Sequence, residues 1–241
     1  MPVRFVDLSM PITADHFRWS TPREVSGDYS DAKPFRVTRL SLSCHSFTHV
    51  DSRAHMLPDG RTIDQTDLSD VAGTAFVANL RDVTPNEALD ARRIDAALEG
   101  YGSEGIILLS TAWDTQRSWK SPAYWRDSPY ITRDGAEALA RHSPRAVAFD
   151  FPQDYTIRQS LDGIVPPIGE HVTHDVLLRR GVTLIEYLVG TAALEGPRTF
   201  LCAIPIKVEG ADGAPARVVA FEGRQFTGAT AEHLVTASPS S

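Results

Sequence analysis

The segment His45-Ser-Phe-Thr-His49-Val-Asp51-Ser-Arg-Ala-His55 gathers three of the chain's eight histidines and an aspartate into eleven residues. Neutral imidazole and carboxylate are the usual ligands of a divalent metal, and a second His/Glu pair stands far downstream at His174 and Glu186. If the chain stayed extended, His45 and Asp51 would be roughly 20 Å apart, whereas the ligands of one ion lie about 2.0–2.2 Å from it. The chain must therefore bend. A turn over residues 45–49 would bring His45 and His49 to one side as an i, i+4 pair, with Asp51 following on the exit. The His45/His49 spacing alone arises readily by chance; Asp51, His55 and the distant pair turn the reading towards a metal-dependent hydrolase.

Working outward, Phe35 to Cys44 alternates, with Leu40, Leu42 and Cys44 on one face and Arg39, Ser41 and Ser43 on the other. This predicts a half-buried strand that His45 leaves on its polar side. Residues 3–12 read as a short strand ending at Pro11. The polar stretch from Thr13 to Pro34 carries His16, Phe17 and Trp19 and is expected either to cover a pocket or to pack as a surface loop. Downstream, Thr74–Leu80 and Gly105–Thr111 read as buried strands, Asn86–Glu99 as a helix, and Ala112–Tyr130 as an irregular, aromatic-rich segment able to line a pocket or anchor loops. Thr132 caps a predicted helix to about His142, and Ala146–Phe151 is the next strand. Asp150 and Asp154 flank its exit and could support the site, with Asp154 read as a solvated loop residue.

The distant pair can be placed by geometry. Thr173 is the expected N-cap of a helix through Arg180, stopped by Gly181, and Val182–Tyr187 returns as a strand. Helix out and strand back lets His174 and Glu186 meet, with His171 as a competing donor. Buried without a metal or cation, Glu186 would be costly. Thr199–Val208 and Ala216–Phe221 supply two more strands joined by the Gly210–Pro215 turn, and Thr236–Ser241 reads as a disordered tail.

With 241 residues and 42% hydrophobic content the chain can bury a substantial core, and it is read as one α/β domain over residues 1–241. A net charge of −7 without a Lys/Arg cluster argues against nucleic acid. No apolar run is long enough for a membrane span and the N-terminus lacks signal-peptide architecture, so a cytoplasmic location is expected. Cys44 and Cys202 read as small buried hydrophobes rather than a disulfide or thiolate ligands.

The segment 45–55 resembles the HxGTHxDxxxH signature of the cyclase/kynurenine formamidase family, metal-dependent amidohydrolases that include isatin hydrolase-like proteins. The resemblance extends to Asp7-Leu-Ser-Met-Pro11, Gly60–Asp64 with Gly73, His174–Leu178 with Glu186, and Pro205–Gly213 with Pro215 and Arg217. Nearly the whole chain is covered. It implies a swivelling β/β/α fold of mixed sheet with flanking helices, a homodimer or homotetramer, and Zn or Mn as cofactor. It also implies His45, His49, Asp51, His174 and Glu186 as metal ligands, with Asp51 able to bridge two ions, and His55 as the catalytic histidine. Phe47 stands where the signature has glycine and Arg53 where it often has proline; with Trp19 they are the expected substrate-binding residues. The expected reaction is hydrolysis of an aryl formamide or cyclic amide in a small substrate, with ring closure or dehydration of a biosynthetic intermediate as the alternative.

Overall fold

The computed structural model describes residues 3–30 and 34–223. Its thirteen strands are β1 (Arg4–Asp7), β2 (Arg23–Gly27), β3 (Val37–Leu40), β4 (His49–Asp51), β5 (Ala72–Asn79), β6 (Ala88–Leu89), β7 (Ile106–Ser110), β8 (Tyr130–Ile131), β9 (Ala146–Phe149), β10 (Thr183–Glu186), β11 (Arg198–Cys202), β12 (Gly213–Pro215) and β13 (Val219–Glu222). Nine form one mixed sheet in the order β1-β13-β11-β5-β7-β9-β10-β4-β12. β5, β7, β9 and β10 run parallel in its middle, and antiparallel pairs lie to either side. The sheet curls. A bridge between Ser9 and Leu188 joins the chain after β1 to the chain after β10.

Period-2 alternation divides the sheet between two cores. Ile106 and Leu108 point inside the curl with Val6, Leu8, Val50, Ile185 and Leu201, while Ile107 and Leu109 face outward with Val147, Phe149 and Leu184. α1 (Leu68–Val71) turns Val71 into the inner core, and the outer face is covered by α2 (Ala91–Ala97), α3 (Trp113–Gln116), α4 (Pro122–Arg126), α5 (Arg133–Arg141), α6 (Thr156–Ser160) and α7 (Val172–Val176), the longest being α5, capped by Thr132. Burial on both faces explains why β7 reads as an unbroken apolar run. No helix among the described residues is long and apolar enough to cross a membrane.

Several expectations change. The strand predicted over 35–44 stops at Leu40 and pairs only with β2, so both of its faces are exposed and its alternation does not report burial. Residues 112–130 contain α3 and α4, and Trp113, Tyr124 and Trp125 are wholly buried anchors. The helix expected from Asn86 begins at Ala91, after β6, with Asp90 as its cap. Thr173 lies inside α7, whose cap position is His171. Residues 213–215, expected within a turn, form β12 against β4. The expected tail, Thr236–Ser241, lies outside the described residues.

The family-like motifs at the chain ends are fastened to one another. Arg217 donates to both oxygens of Asp7 (2.9 and 2.6 Å), and Val218 N donates to Ser9 Oγ (2.8 Å). Thr48 Oγ1 accepts from Met10 N and donates to Tyr187 O, both at 2.7 Å. One hydroxyl therefore ties the opening segment and β10 to the entry of β4.

Candidate metal centre

β4 and β10 are antiparallel, with Glu186 opposite His49 and Leu184 opposite Asp51. Alternation turns His49, Asp51 and Glu186 to one face and sends Val50 and Ile185 into the inner core. His45 reaches the same face because the chain turns through residues 44–48, with Phe47 in the left-handed region at φ 56°. On the other side β12 pairs Gly213 with Asp51. A Cβ at residue 213 would stand 2.7 Å from His45 Cε1, so only glycine leaves room for that ring. α7 carries His174 over the top of the group.

Each of the three imidazoles has one nitrogen tied outward and the other turned inward. His49 Nδ1 donates to Phe47 O (2.8 Å), His174 Nδ1 to Asp154 Oδ2 (2.7 Å) and His45 Nε2 to Asp212 Oδ2 (2.9 Å). Inward, His45 Nδ1 lies 2.7 Å and His49 Nε2 3.2 Å from Asp51 Oδ1, and His174 Nε2 lies 3.4 Å from Asp51 Oδ2. Glu186 closes the group, 3.6 Å from His49 Nε2 and 3.4 Å from His174 Nε2, and its Oε1 accepts from Gln153 Nε2. Asp51 Oδ2 is buried without a hydrogen-bond partner. A buried carboxylate oxygen left in this way, ringed by imidazole nitrogens whose tautomers are set from behind, fits a divalent cation.

The electrostatics point the same way. Burial opposes the charge on His45, but the Asp51 and Asp212 carboxylates on either side hold its pKa up at about 9. In the metal-free protein a proton therefore sits between His45 and Asp51. Burial would raise Asp51, yet the surrounding histidines hold it well below the ordinary carboxylate value. His174 is likewise held well above its usual value, against burial, by Asp154, Asp51 and Glu186. His55 is different: burial pushes its pKa down, with the Asp51 charge opposing, which leaves it neutral near pH 7.

Residues 6–153 match the Cyclase family model, described as "Putative cyclase". The chain belongs to the cyclase family. It is 26% identical over 224 residues to a kynurenine formamidase of Bacillus mycoides, covering 90% of this chain and 96% of that one. Isatin hydrolase A from Labrenzia aggregata, solved bound to benzyl benzoate, superposes with a TM-score of 0.75 at 19% identity, over 91% of this chain and 93% of the other. A structure described as a potential metal-dependent hydrolase with cyclase activity gives 0.68 at 25% identity, over 92% and 99%.

Within this cyclase-family fold the structure brings His45, His49, Asp51, His55, His174 and Glu186 together. Two groupings of potential ligand atoms share Asp51: His45 with His55, and His49 with Glu186. His171 is engaged by Thr156 Oγ1 (3.1 Å), its ring 6.1 Å from that of His174. Trp19 is half-buried, 4.7 Å from the Phe47 ring and 5.8 Å from that of Tyr187, which in turn lies 5.3 Å from His49. Phe47 is wholly buried beneath Trp19, while Arg53 is exposed beside Gly181. Asp150 does not reach the site.

Two supporting residues, Gln153 and Asp212, escape the sequence reading, and a third, Asp154, is given the wrong surroundings. Asp154, expected in solvent, is 1% exposed and orients His174. Gln153 orients Glu186, and Asp212 touches both His45 and His55. The signal available for Asp212 was its place in the family-like Gly210–Gly213 turn; Gln153 and Asp154 had only their position after a buried strand.

Proposed function

We propose that this chain hydrolyses a non-peptide C–N bond, the amide of a small aryl formamide or cyclic amide, at a divalent metal held by His45, His49, Asp51, His174 and Glu186. One observation carries the reading: three imidazoles, each fixed from behind, converge on two buried carboxylates, and one oxygen of Asp51 lacks any hydrogen bond. The relatives named kynurenine formamidase and isatin hydrolase support an amide as the bond cleaved. Mixed imidazole and carboxylate donors suit Zn²⁺ or Mn²⁺. When bound, such an ion lowers the pKa of a water nucleophile and polarises the scissile carbonyl.

The chain's own residues do the rest. Asp51 can serve both sides of the centre, because Oδ1 faces His45 and His49 while Oδ2 faces His174. Neutral His55, with Nδ1 on Asp212, keeps Nε2 to take the proton of the water and return it to the leaving nitrogen. Trp19, backed by Phe47, supplies a planar wall next to Tyr187 for an aryl group. A homo-oligomer belongs to the same reading. The β2–β3 hairpin exposes Val25, Val37 and Leu40, and two strands alone are marginal in water.

The test is metal content per chain by elemental mass spectrometry, wild type beside His49→Ala, followed by product masses from formamides, isatin-like rings and lactams. Near-stoichiometric zinc or manganese that drops in the variant, with products heavier by one water, is the expected result. A product without added water would shift the reaction to ring closure, and a wild type that takes up no metal on reconstitution would overturn the reading.

A further inference from the structure

Asp212 lies 167 residues after His45 and 157 after His55, yet one of its oxygens accepts from both rings. His45 Nε2 donates to Oδ2 at 2.9 Å and His55 Nδ1 donates to the same atom at 3.3 Å. The two rings stack with centroids 3.9 Å apart and 24° between planes. We infer that Asp212 is the positioning residue of this site, a single carboxylate oxygen that holds a metal-binding histidine and the proton-carrying histidine as one unit. The roles given to those histidines rest on the function proposed above.

The backbone around Asp212 is held for this task. Ser52, the residue after Asp51, donates both its N–H (3.0 Å) and its hydroxyl (2.8 Å) to the Asp212 carbonyl. Ile63 N donates to Ala211 O (2.8 Å), and Gly210 N donates to Asp64 Oδ1 (3.0 Å). Gly213, immediately after, is locked into β12 opposite Asp51. The loop that bears His55 is anchored beside it: a Cβ at Gly60 would lie 2.5 Å from the Arg53 carbonyl carbon, and Ala54 N donates to Arg61 O (3.0 Å). Residues 60–64 and 208–213 thus clamp the Asp212 backbone to the ligand strand.

The carboxylate sets a tautomer in each ring. Once the metal has displaced the other proton of His45, holding its Nε2–H leaves Nδ1 free on the side of Asp51, and holding Nδ1–H of His55 leaves Nε2 for substrate. A half-exposed acid serving only solubility would need neither the two histidines nor the clamped backbone.

The experiment compares wild type, Asp212→Asn and Asp212→Ala, each alone and with His55→Ala, as zinc-loaded full-length protein with folding checked by circular dichroism. Loss of an outer partner of this kind typically costs about 10–100-fold. Asp212→Ala should lower kcat by that amount with KM little changed, Asp212→Asn, which keeps one acceptor oxygen, should fall between, and each should cost less in the His55→Ala background than alone, because only the His45 contact is then left to lose. Full multiplication with the His55→Ala effect, or an unchanged kcat in the Ala variant, would overturn the inference. The second readout needs no turnover: ¹⁵N histidine side-chain spectra of metal-free and zinc-loaded protein should show His55 protonated at Nδ1 in wild type and a tautomer mixture in both Asp212 variants. If the wild type hydrolyses none of the amides, the hydrolase reading fails by itself, and the spectra still decide Asp212: identical tautomers in wild type and variants would sink it.

Discussion

Asp51, in β4, and Asp150, just past the end of β9, are both wholly buried carboxylates, and they are completed in opposite ways. Asp150 follows β9 and accepts from Thr111 N, Thr111 Oγ1, Ala112 N and Thr191 Oγ1, so neutral donors reach both of its oxygens. Burial still dominates there, and its pKa is pushed up to about 6. Asp51 is met by imidazoles instead, is held well below the ordinary carboxylate value, and keeps one oxygen without a hydrogen bond. A buried acid with a full set of neutral donors fastens loops; one left short, among groups that can give up protons, is a seat for a cation.

Substitution at the two positions should separate these roles most sharply. Asp51→Asn removes the charge that the centre needs, and metal content by elemental analysis should fall to background together with turnover. Asp150→Asn should leave metal content at the wild-type level. Equal metal loss in both variants would erase the contrast.

Next in size is His55→Ala. Removal of a proton carrier typically costs about 10²–10⁴-fold in rate, and metal content should stay near that of wild type. Metal loss in this variant would move His55 into the ligand set, where its closeness to His45 and Asp51 makes it eligible.

The third effect is on pH. Because His45 in the metal-free protein is protonated up to about pH 9, metal must displace that proton. Uptake should release protons, and apparent affinity should weaken by about tenfold for each pH unit below that value if one proton is displaced. In the metal-free protein the sign for stability is reversed. His45 has a folded pKa raised above its unfolded value of 6.5, so its contribution is complete below about that pH and is lost as pH rises through about 9. Isothermal calorimetry in buffers of different ionisation enthalpy, with melts across pH 6–10, would register both.

The smallest effect belongs to Asp150. Its folded pKa of about 6 exceeds the ordinary aspartate value of 3.8, so stability should decline as pH rises between those values and be flat above them. Asp150→Asn should flatten that slope and lower the melting temperature by a few degrees, the cost of unmade hydrogen bonds being about 1–3 kcal/mol. A slope that survives the substitution would assign it to another group.

How much of this was legible in sequence depends on the distance over which each signal acts. His49 and Asp51 alternate with Val50, so the face those two share follows from local geometry. His174 and Glu186 are close enough along the chain for a helix-and-return unit to bring them together. Unbroken apolar runs gave β5, β7 and β9. The Asp212 contact has no local signature, because it depends on β12 pairing with β4, and a Gly/Pro-rich stretch reads as a turn whether or not a partner strand waits beside it. Asp154 was misread for a related reason: the burial of a loop carboxylate is decided by the helix that lands on it, here α7. The alternation of β3 was real but carried no burial, since nothing except β2 packs along it as a strand.

Phe47 takes a left-handed backbone that costs a non-glycine residue roughly 1–2 kcal/mol. Its buried ring, against Trp19 and His16, offsets that cost, since emptying such a site typically forfeits about 3–5 kcal/mol. A glycine here would keep the bend but leave it free to flex. With phenylalanine, the corner between His45 and His49 is riveted to the aromatic cover above it, and a pattern that demands glycine would pass over this chain although the backbone is in the region that glycine favours. The rigidity gained should be read in exchange rates: metal entry and loss in this protein are expected to be paced by movement of the Trp19 segment.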